Sequence, residues 1–429
     1  MQDRRNFIRR MAGAAGLAAF SPFINSVHGK NMMDTLERNA HRSADEIASD
    51  EDFWYQIQQA YTVSPNILNL NNGGVSPQPK VVQEAVEHYN RLCNEAPSYY
   101  MWRVLDQGRE PLRAKLAGIA GCSPEEISIN RNTTEALANV IFGIRLNPGD
   151  EVVLTKQDYP NMINAWKQRE KRDGIVLKWL NFELPIEDNE RIVREFENAF
   201  TSKTKVVHIT HMVNWNGQLF PARDIARAAH RRGIEVLVDA AHTFAHLDFK
   251  IPDLECDYLG TSLHKWLCAP FGSGLLYVKK DKIKNLYPLM AAGDPESEDI
   301  RKFENLGTRS FAIEEAIGHA ANFHLMIGAE RKHKRLFYLK KYWTDKALQI
   351  PGVTIGSPLK PEFSGAIALL QVAGKEPVAV SESLFNKFKI HTVGIVWENI
   401  HGVRVTPNVY TTLNDLDRFV AAVAEIAKT

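Results

Sequence analysis

The stretch "GTSLHKWLCAPFGSGLLYV" (residues 260–278) places one lysine, Lys265, in a loop of small residues directly before an apolar run typical of a buried strand. Lysine side chains usually lie in water. A lysine that forms an imine with an aldehyde must first lose its proton, and partial burial and neighbouring cations lower its pKa. Taken alone, Lys265 favours another interpretation, a surface lysine whose aliphatic stem packs on apolar residues; only its combination with the residues below reverses this.

The segment "VLVDAAH" (residues 236–242) places Asp239 just beyond another apolar run, where the carboxyl end of a buried parallel strand is expected. Ligands bind at that edge of open α/β sheets. Asp239 alone could be a hydrogen-bonded turn residue or a charge held for a ligand. Because Lys265 also lies at a strand–loop junction, the two side chains are expected at the same edge.

Thr133 and Thr134, in "NTTEALANV", lie at the predicted start of a helix, whose free N–H groups and positive dipole end can bind a phosphate. Helix capping by Asn132 or Thr133 is the alternative. Tyr159 follows the next strand and could stack on a planar heterocycle, or simply pack within its loop. Asn214 follows a further strand and could hydrogen-bond a phenolic oxygen, or form a turn.

Together these strand ends supply a phosphate cradle, an aromatic ring, an amide, a carboxylate and a lysine. His242 could donate a hydrogen bond to the same phenolic oxygen as the amide. These are the groups needed to hold pyridoxal phosphate. The carboxylate keeps the ring nitrogen protonated, and the protonated ring accepts electrons from a carbanion at the substrate's α-carbon.

The pattern of the chain predicts two domains. Short apolar runs alternate with amphipathic helices, which indicates parallel βαβ units in an α/β fold. Near residue 311 this pattern gives way to a long helical stretch and a smaller α+β segment. We predict an amino-terminal segment (30–64), a large, mostly parallel-sheet cofactor-binding domain (65–310) and a small α+β domain (311–429).

Composition excludes several classes of function. The chain has 429 residues, of which 44% are hydrophobic, and a net charge of +1, so no nucleic-acid partner is expected. Its four cysteines are far apart and have no ligand spacing, which argues against a zinc site or a disulfide scaffold and leaves one incidental disulfide open.

The amino terminus, "DRRNFIRRMAGAAGLAAFSPFI", combines Arg4-Arg5 with a modest apolar run, in the order of a twin-arginine export signal over residues 1–29. This predicts contact with the twin-arginine export machinery and an exported, extracytoplasmic enzyme. The alternative is a basic, disordered start to a cytoplasmic chain. The apolar run is too short for an ordinary membrane-spanning helix, and no other segment is predicted to span a membrane.

The motifs "NNGGVSP", "NTTEA", "VDAAH", "SLHKW", "GTRS" and "GVRVTPNVYTT" occur in this order. With them, roughly residues 65–425 resemble the class V aminotransferase family of fold-type I pyridoxal-phosphate enzymes, and within it the isopenicillin N epimerase-like branch. The resemblance implies that Lys265 forms the aldimine with the cofactor and moves the proton at the α-carbon. Asp239 would pair with the pyridine nitrogen.

The same resemblance implies that Tyr159 stacks on the ring, where many relatives use histidine. Asn214 and His242 would contact the ring oxygen, a position where several relatives carry glutamine instead of His242. The residues implied to hold the phosphate are Thr133, Thr134, Ser262 and His264.

Thr308 resembles the residue that reaches the phosphate from a partner subunit, which implies a homodimer with shared sites. Arg404 matches the arginine that binds the substrate α-carboxylate with two hydrogen bonds, although alone it could be part of a structural ion pair. Arg309 is a candidate for a second anionic group. Asn72 and Gly74 are expected to line the substrate side, since "NNGG" allows close backbone approach.

One departure narrows the reaction. Cysteine desulfurases of this family need a nucleophilic cysteine in the carboxyl-terminal third, and no cysteine follows Cys268. The resemblance therefore implies other chemistry at the α-carbon of an amino acid or a derivative: epimerisation, transamination, or β-elimination in a cysteine or selenocysteine lyase-like enzyme. A non-catalytic binding protein with the same fold is the remaining alternative.

Overall fold

The computed structural model describes residues 27–428. Residues 1–26, which hold most of the predicted export signal, lie outside the described residues. The strands, numbered in chain order, are β1 (Leu68–Asn69), β2 (Ile127–Asn130), β3 (Glu151–Thr155), β4 (Val176–Leu180), β5 (Thr204–Thr210), β6 (Glu235–Asp239), β7 (Tyr258–Ser262), β8 (Gly274–Val278), β9 (Val353–Ile355), β10 (Ala368–Val372), β11 (Ile390–His391), β12 (Val393–Trp397) and β13 (Ile400–Val405).

A seven-stranded sheet of order β2-β8-β7-β6-β5-β3-β4 forms the centre of the molecule. The neighbours from β7 to β4 pair in parallel, and β8 runs antiparallel to both β2 and β7. Every residue of β3, β7 and β8 is buried, as expected where both faces of a sheet are covered. The α/β fold expected from the sequence is thus confirmed.

The α-helices alternate with these strands and then surround a smaller sheet. They are Val27–Arg38, Ala44–Ala48, Glu51–Gln58, Lys80–Glu95, Pro97–Tyr99, Arg109–Ala120, Thr133–Gly143, Pro160–Asp173, Asn189–Ala199, Ala222–His230, Phe311–Ile327, Ala329–Ala347, Pro377–Phe388 and Leu413–Lys428. The long helical stretch predicted after residue 310 is two helices, because Gly328 between them has a φ of +92°.

The carboxyl-terminal part contains an antiparallel sheet of order β12-β13-β10-β9 with its own hydrophobic core. The segment that follows β1 contacts both parts of the chain. On one side β1 pairs with β11 and Asn71 bridges to Thr406; on the other, the Ser76 N–H donates at 3.1 Å to the carbonyl of His264, in the loop after β7. Gly73, Gly74 and Val75 of this segment line the site described below. The predicted domain boundaries remain predictions.

Between residues 27 and 428, no helix is long and apolar enough to cross a bilayer. The four cysteines are free thiols. No cluster of three or more metal-ligating side chains occurs in the same described range.

Candidate active site

A cavity of about 490 Å³ opens at the carboxyl edge of the parallel strands, where the sheet faces the carboxyl-terminal part. Its lining consists of Gly73, Gly74, Val75, Asn132, Thr133, Thr134, Tyr159, Asn161, Met162, Thr210, Met212, Asn214, Trp215, Asp239, Ala241, His242, Ser262, His264, Lys265 and Arg404. Eleven of the fourteen residues predicted for the site are among them.

Lys265 lies in the loop after β7, and its Nζ is 3.2 Å from His242 Nε2. Burial lowers the pKa of the Lys265 amine to about 8; the Asp239 carboxylate opposes this shift, and the Arg404 guanidinium adds to it. A substantial fraction of the amine is therefore neutral near neutral pH, as a nucleophile toward an aldehyde must be.

Asp239 ends β6 and is 5% exposed. Its Oδ1 accepts a hydrogen bond of 2.8 Å from the Ala241 N–H. Burial raises the pKa of Asp239 to about 6, with a further contribution from the neighbouring Asp158 carboxyl. Asp239 is thus ionised at neutral pH and presents a negative charge to the cavity.

The helix Thr133–Gly143 begins beside the cavity, with Asn132 as its cap. The Asn132 side chain accepts a hydrogen bond from the Glu135 N–H at 2.9 Å. Thr133 and Ser262 are joined there, since the Thr133 N–H donates to Ser262 Oγ at 2.9 Å and their hydroxyls lie 2.7 Å apart. Hydroxyls and helix N–H groups at one point form a cradle suited to a phosphate.

Gly274, at the start of β8, allows this strand to pack closely against the Asn132 cap. A Cβ at this position would lie 2.6 Å from the backbone N and Cα of Asn132. The start of β8 can therefore approach the cap only with a glycine. His264 is oriented nearby by a contact of 3.0 Å between its Nδ1 and the Ser273 carbonyl.

Arg404 projects from β13 toward the large sheet. Its Nη1 donates to the Asn214 carbonyl and its Nη2 to Asn71 Oδ1, both at 2.9 Å. Within the described chain, its Nε and Asn214 Oδ1 are buried without hydrogen-bond partners. Burial lowers the pKa of Arg404 to about 10, so it is still charged at neutral pH.

Aromatic side chains form the rim of the cavity. Tyr159 lies directly before the helix Pro160–Asp173, lines the cavity and is 42% exposed. Trp215 lines the cavity and stacks on Trp397 at 5.1 Å between ring centroids. Sequence reasoning missed Trp215, although its position beside Asn214 after β5 was a usable signal.

Gly74 lines the cavity, whereas Asn72 lies behind it. The fully buried Asn72 side chain donates to the Thr406 carbonyl at 2.8 Å and accepts from the Tyr410 hydroxyl at 2.7 Å. The close approach expected of "NNGG" occurs at Gly73, where a Cβ would lie 3.1 Å from the Thr406 methyl group.

Thr308 and Arg309 are not brought to this cavity within one chain. They line a separate cavity of about 640 Å³ together with Trp102. Thr308 is exposed, and Arg309 is paired with Glu314. A role for Thr308 at the phosphate would thus require a second copy of the chain.

The cavity fits pyridoxal phosphate. A partly neutral lysine, an ionised carboxylate and a helix amino terminus face one space. Three lining residues also have polar atoms without partners in the described chain, namely Asn214 Oδ1, Trp215 Nε1 and Arg404 Nε. The α/β fold and this arrangement define the class of fold-type I pyridoxal-phosphate enzymes.

The chain belongs to the class V aminotransferase family, because residues 68–419 match the family model described as "Aminotransferase class-V". It is 27% identical over 393 residues to isopenicillin N epimerase of Streptomyces clavuligerus, covering 86% of this chain and 97% of that protein. It is 30% identical over 328 residues to a probable cysteine desulfurase of Synechocystis, covering 72% of this chain and 76% of that protein.

Solved structures with the same fold include a mutant of C-DES with glycine covalently linked to the PLP cofactor, at a TM-score of 0.76 and 22% identity, covering 84% of this chain and 97% of that one. The apo cysteine desulfurase of Thermococcus onnurineus NA1 superposes with a TM-score of 0.76 at 21% identity, covering 88% of this chain and 98% of that one. The structures show the fold, and the family match together with the two relatives above shows that the chain is a pyridoxal-phosphate-dependent enzyme of the class V family.

Proposed function

We propose that this enzyme acts at the α-carbon of an amino acid or a small amino-acid derivative, by epimerisation or transamination. The observation that supports this most directly is the placement of Lys265 Nζ in one cavity with Asp239 and Arg404. A reaction at the α-carbon requires an amine, an anion and a cation that binds the substrate carboxylate, all facing the same cavity.

When bound, pyridoxal phosphate supplies an aldehyde and a ring that accepts electrons from the α-carbon. The chain supplies the remaining functions. Asp239 would hold the proton on the ring nitrogen, and Lys265, as a neutral amine, would take the proton from the α-carbon. Arg404, held by two hydrogen bonds, would orient the substrate carboxylate.

A persulfide-forming desulfurase is disfavoured by the position of the last cysteine. Cys268 is 1% exposed and does not line the cavity. Its Sγ lies 3.7 Å from the Tyr61 hydroxyl and from Asn408 Nδ2, so it is packed as a structural thiol. A β-lyase needs no protein thiol and remains the alternative reaction.

The test of this function begins with the visible spectrum of purified protein, followed by single L-amino acids in deuterated water. We expect a cofactor absorbance that shifts with substrate and deuterium entering the α-carbon. Chirality and keto-acid analysis of the same samples separates epimerase, transaminase and lyase. A protein that stays colourless with added pyridoxal phosphate would refute the proposal, as would a Lys265→Ala variant that borohydride still links to the cofactor.

We also propose a homodimer in which Thr308 reaches the partner's phosphate site. The exposed Thr308 and the 53% exposed Trp102 share one surface cavity. Hybrids of Lys265→Ala and Thr308→Ala chains test this, because one site per hybrid is intact only if Thr308 acts across the interface. Hybrids no better than either parent would contradict the shared site.

Export through the twin-arginine pathway is proposed from the sequence of residues 1–29. Twin-arginine transport carries folded proteins, so the cofactor could be acquired before export. Cell fractionation should find the native chain outside the cytoplasm, and Arg4→Lys with Arg5→Lys should retain it inside. A native chain found only in the cytoplasm would overturn this placement.

A further inference from the structure

Three buried aromatic side chains form a contact group directly behind Lys265. The His246 ring stacks on the Trp266 indole at 3.8 Å between centroids and an interplanar angle of 26°. The His242 ring meets the same indole nearly edge-on. His242, His246 and Trp266 are 4%, 1% and 0% exposed.

The hydrogen bonds of His246 define which of its nitrogens carries the proton. The Ala366 backbone N–H donates to His246 Nε2 at 2.8 Å, so this nitrogen is an acceptor. The proton of the neutral ring is then on Nδ1, which donates to the His242 carbonyl at 2.7 Å. His246 thereby fixes the backbone of His242 and, through stacking, the plane of the Trp266 indole.

Trp266 determines the proton position on His242 in the same way. An indole N–H can only donate, and Trp266 Nε1 donates to His242 Nδ1 at 3.4 Å. Nδ1 must therefore offer a lone pair, which leaves the proton of the neutral ring on Nε2. Burial, with Lys265 and Arg404 adding to it, lowers the pKa of His242 well below its ordinary value, so the ring stays neutral.

We propose that Trp266 and His246 are positioning residues that hold His242 as the tautomer with its proton on Nε2, directed into the cofactor cavity. His242 Nε2 lies 3.2 Å from Lys265 Nζ, and the amine accepts that proton's hydrogen bond in the free protein when it is neutral. The inference rests on the proposed function in one respect: when the cofactor is bound, its ring oxygen is assigned as the acceptor of the hydrogen bond from His242 Nε2. The opposite tautomer would place two N–H groups against each other and turn a lone pair toward that oxygen.

A matched control exists in the carboxyl-terminal part of the chain. Trp343 is also 0% exposed, and its Nε1 has no hydrogen-bond partner in the described structure. Trp343→Phe and Trp266→Phe thus both replace a fully buried indole by a phenyl ring. Of the two substitutions, only Trp266→Phe removes an indole hydrogen bond to a histidine.

The first measurement is a long-range ¹H–¹⁵N spectrum of the cofactor-free protein with ¹⁵N-labelled histidine, recorded at about pH 9.5, where the Lys265 amine is mainly neutral. A His242→Gln variant identifies the His242 signals. We expect a protonated Nε2 and an unprotonated Nδ1. A protonated Nδ1 in the native protein would overturn the inference, and this measurement requires no Trp266 variant to fold.

The second measurement compares the variants. Trp266→Phe should give a mixture of His242 tautomers and raise the dissociation constant for pyridoxal phosphate about tenfold, the effect of one lost hydrogen bond. Trp343→Phe should change neither. An unchanged tautomer and affinity in Trp266→Phe would refute the inference. A native protein with the expected tautomer that binds no pyridoxal phosphate would refute the proposed function and leave the tautomer assignment standing.

Discussion

Substitution of the two charged neighbours of Lys265 should move the pKa of its amine in opposite directions. Burial lowers this pKa to about 8, the Asp239 carboxylate opposes the shift, and the Arg404 guanidinium adds to it. Asp239→Asn removes an anion that stabilises the ammonium form, so the pKa should fall further. Arg404→Gln removes a cation that destabilises the ammonium form, so the pKa should rise.

The size of the effect follows from the neutral fraction of the amine. At about pH 7.5, a pKa of about 8 leaves roughly one quarter of the amine neutral, compared with about one part in a thousand for an ordinary lysine. Loss of one close charge shifts a pKa by about one unit. The neutral fraction should then be roughly three quarters in Asp239→Asn and roughly three per cent in Arg404→Gln.

The assay is competitive acetylation of the cofactor-free protein over a pH series, with the modified Lys265 peptide measured by mass spectrometry. The exposed Lys387 serves as the internal reference for reagent concentration. Shifts of the same sign in both variants would refute the electrostatic reasoning. So would a native Lys265 with the pKa of an ordinary lysine, since the cavity would then not perturb its charge.

Two further predictions concern the frame of the site. Gly274→Ala should weaken pyridoxal phosphate binding at least tenfold in an absorbance titration, because the added Cβ would lie 2.6 Å from the Asn132 backbone. The control Gly293→Ala, which has open space around it, should bind the cofactor normally. Equal affinities in the two variants would contradict the cradle geometry. Glu304→Ala should lower the free energy of unfolding in urea by about 3 kcal/mol, because it leaves the fully buried Arg113 without its 2.9 Å partner. Glu296→Ala breaks the exposed ion pair with Arg145 and should change the free energy of unfolding little. Equal losses of stability in the two variants would show that burial of the Glu304 pair is unimportant.

Much of the cavity could be predicted from the sequence because its residues follow strands. Asp239 and Lys265 come directly after apolar runs, and the carboxyl ends of parallel strands necessarily meet at one edge. Thr133 was predictable for a similar reason, since the Asn132 cap marks the start of its helix. Periodicity and capping are local properties, and a single sequence contains them.

The parts that sequence reasoning missed depend on contacts between distant segments. Nothing near Trp266 indicates that its N–H meets His242, and His246 is fixed by a backbone N–H at Ala366. Asn72 was expected to face the substrate, but Tyr410 and Thr406 place its side chain behind the loop. These arrangements follow from how the carboxyl-terminal sheet packs on the large one, which periodicity does not encode.

The contact between Arg404 and Asn71 joins residues 333 positions apart in the chain. During synthesis on the ribosome, the large sheet is complete more than a hundred residues before Arg404 emerges. The nascent chain can thus present Lys265 and Asp239 while one wall of their cavity is still missing. The cavity lined by Lys265, Asp239 and Arg404 is therefore complete only after translation has passed residue 404.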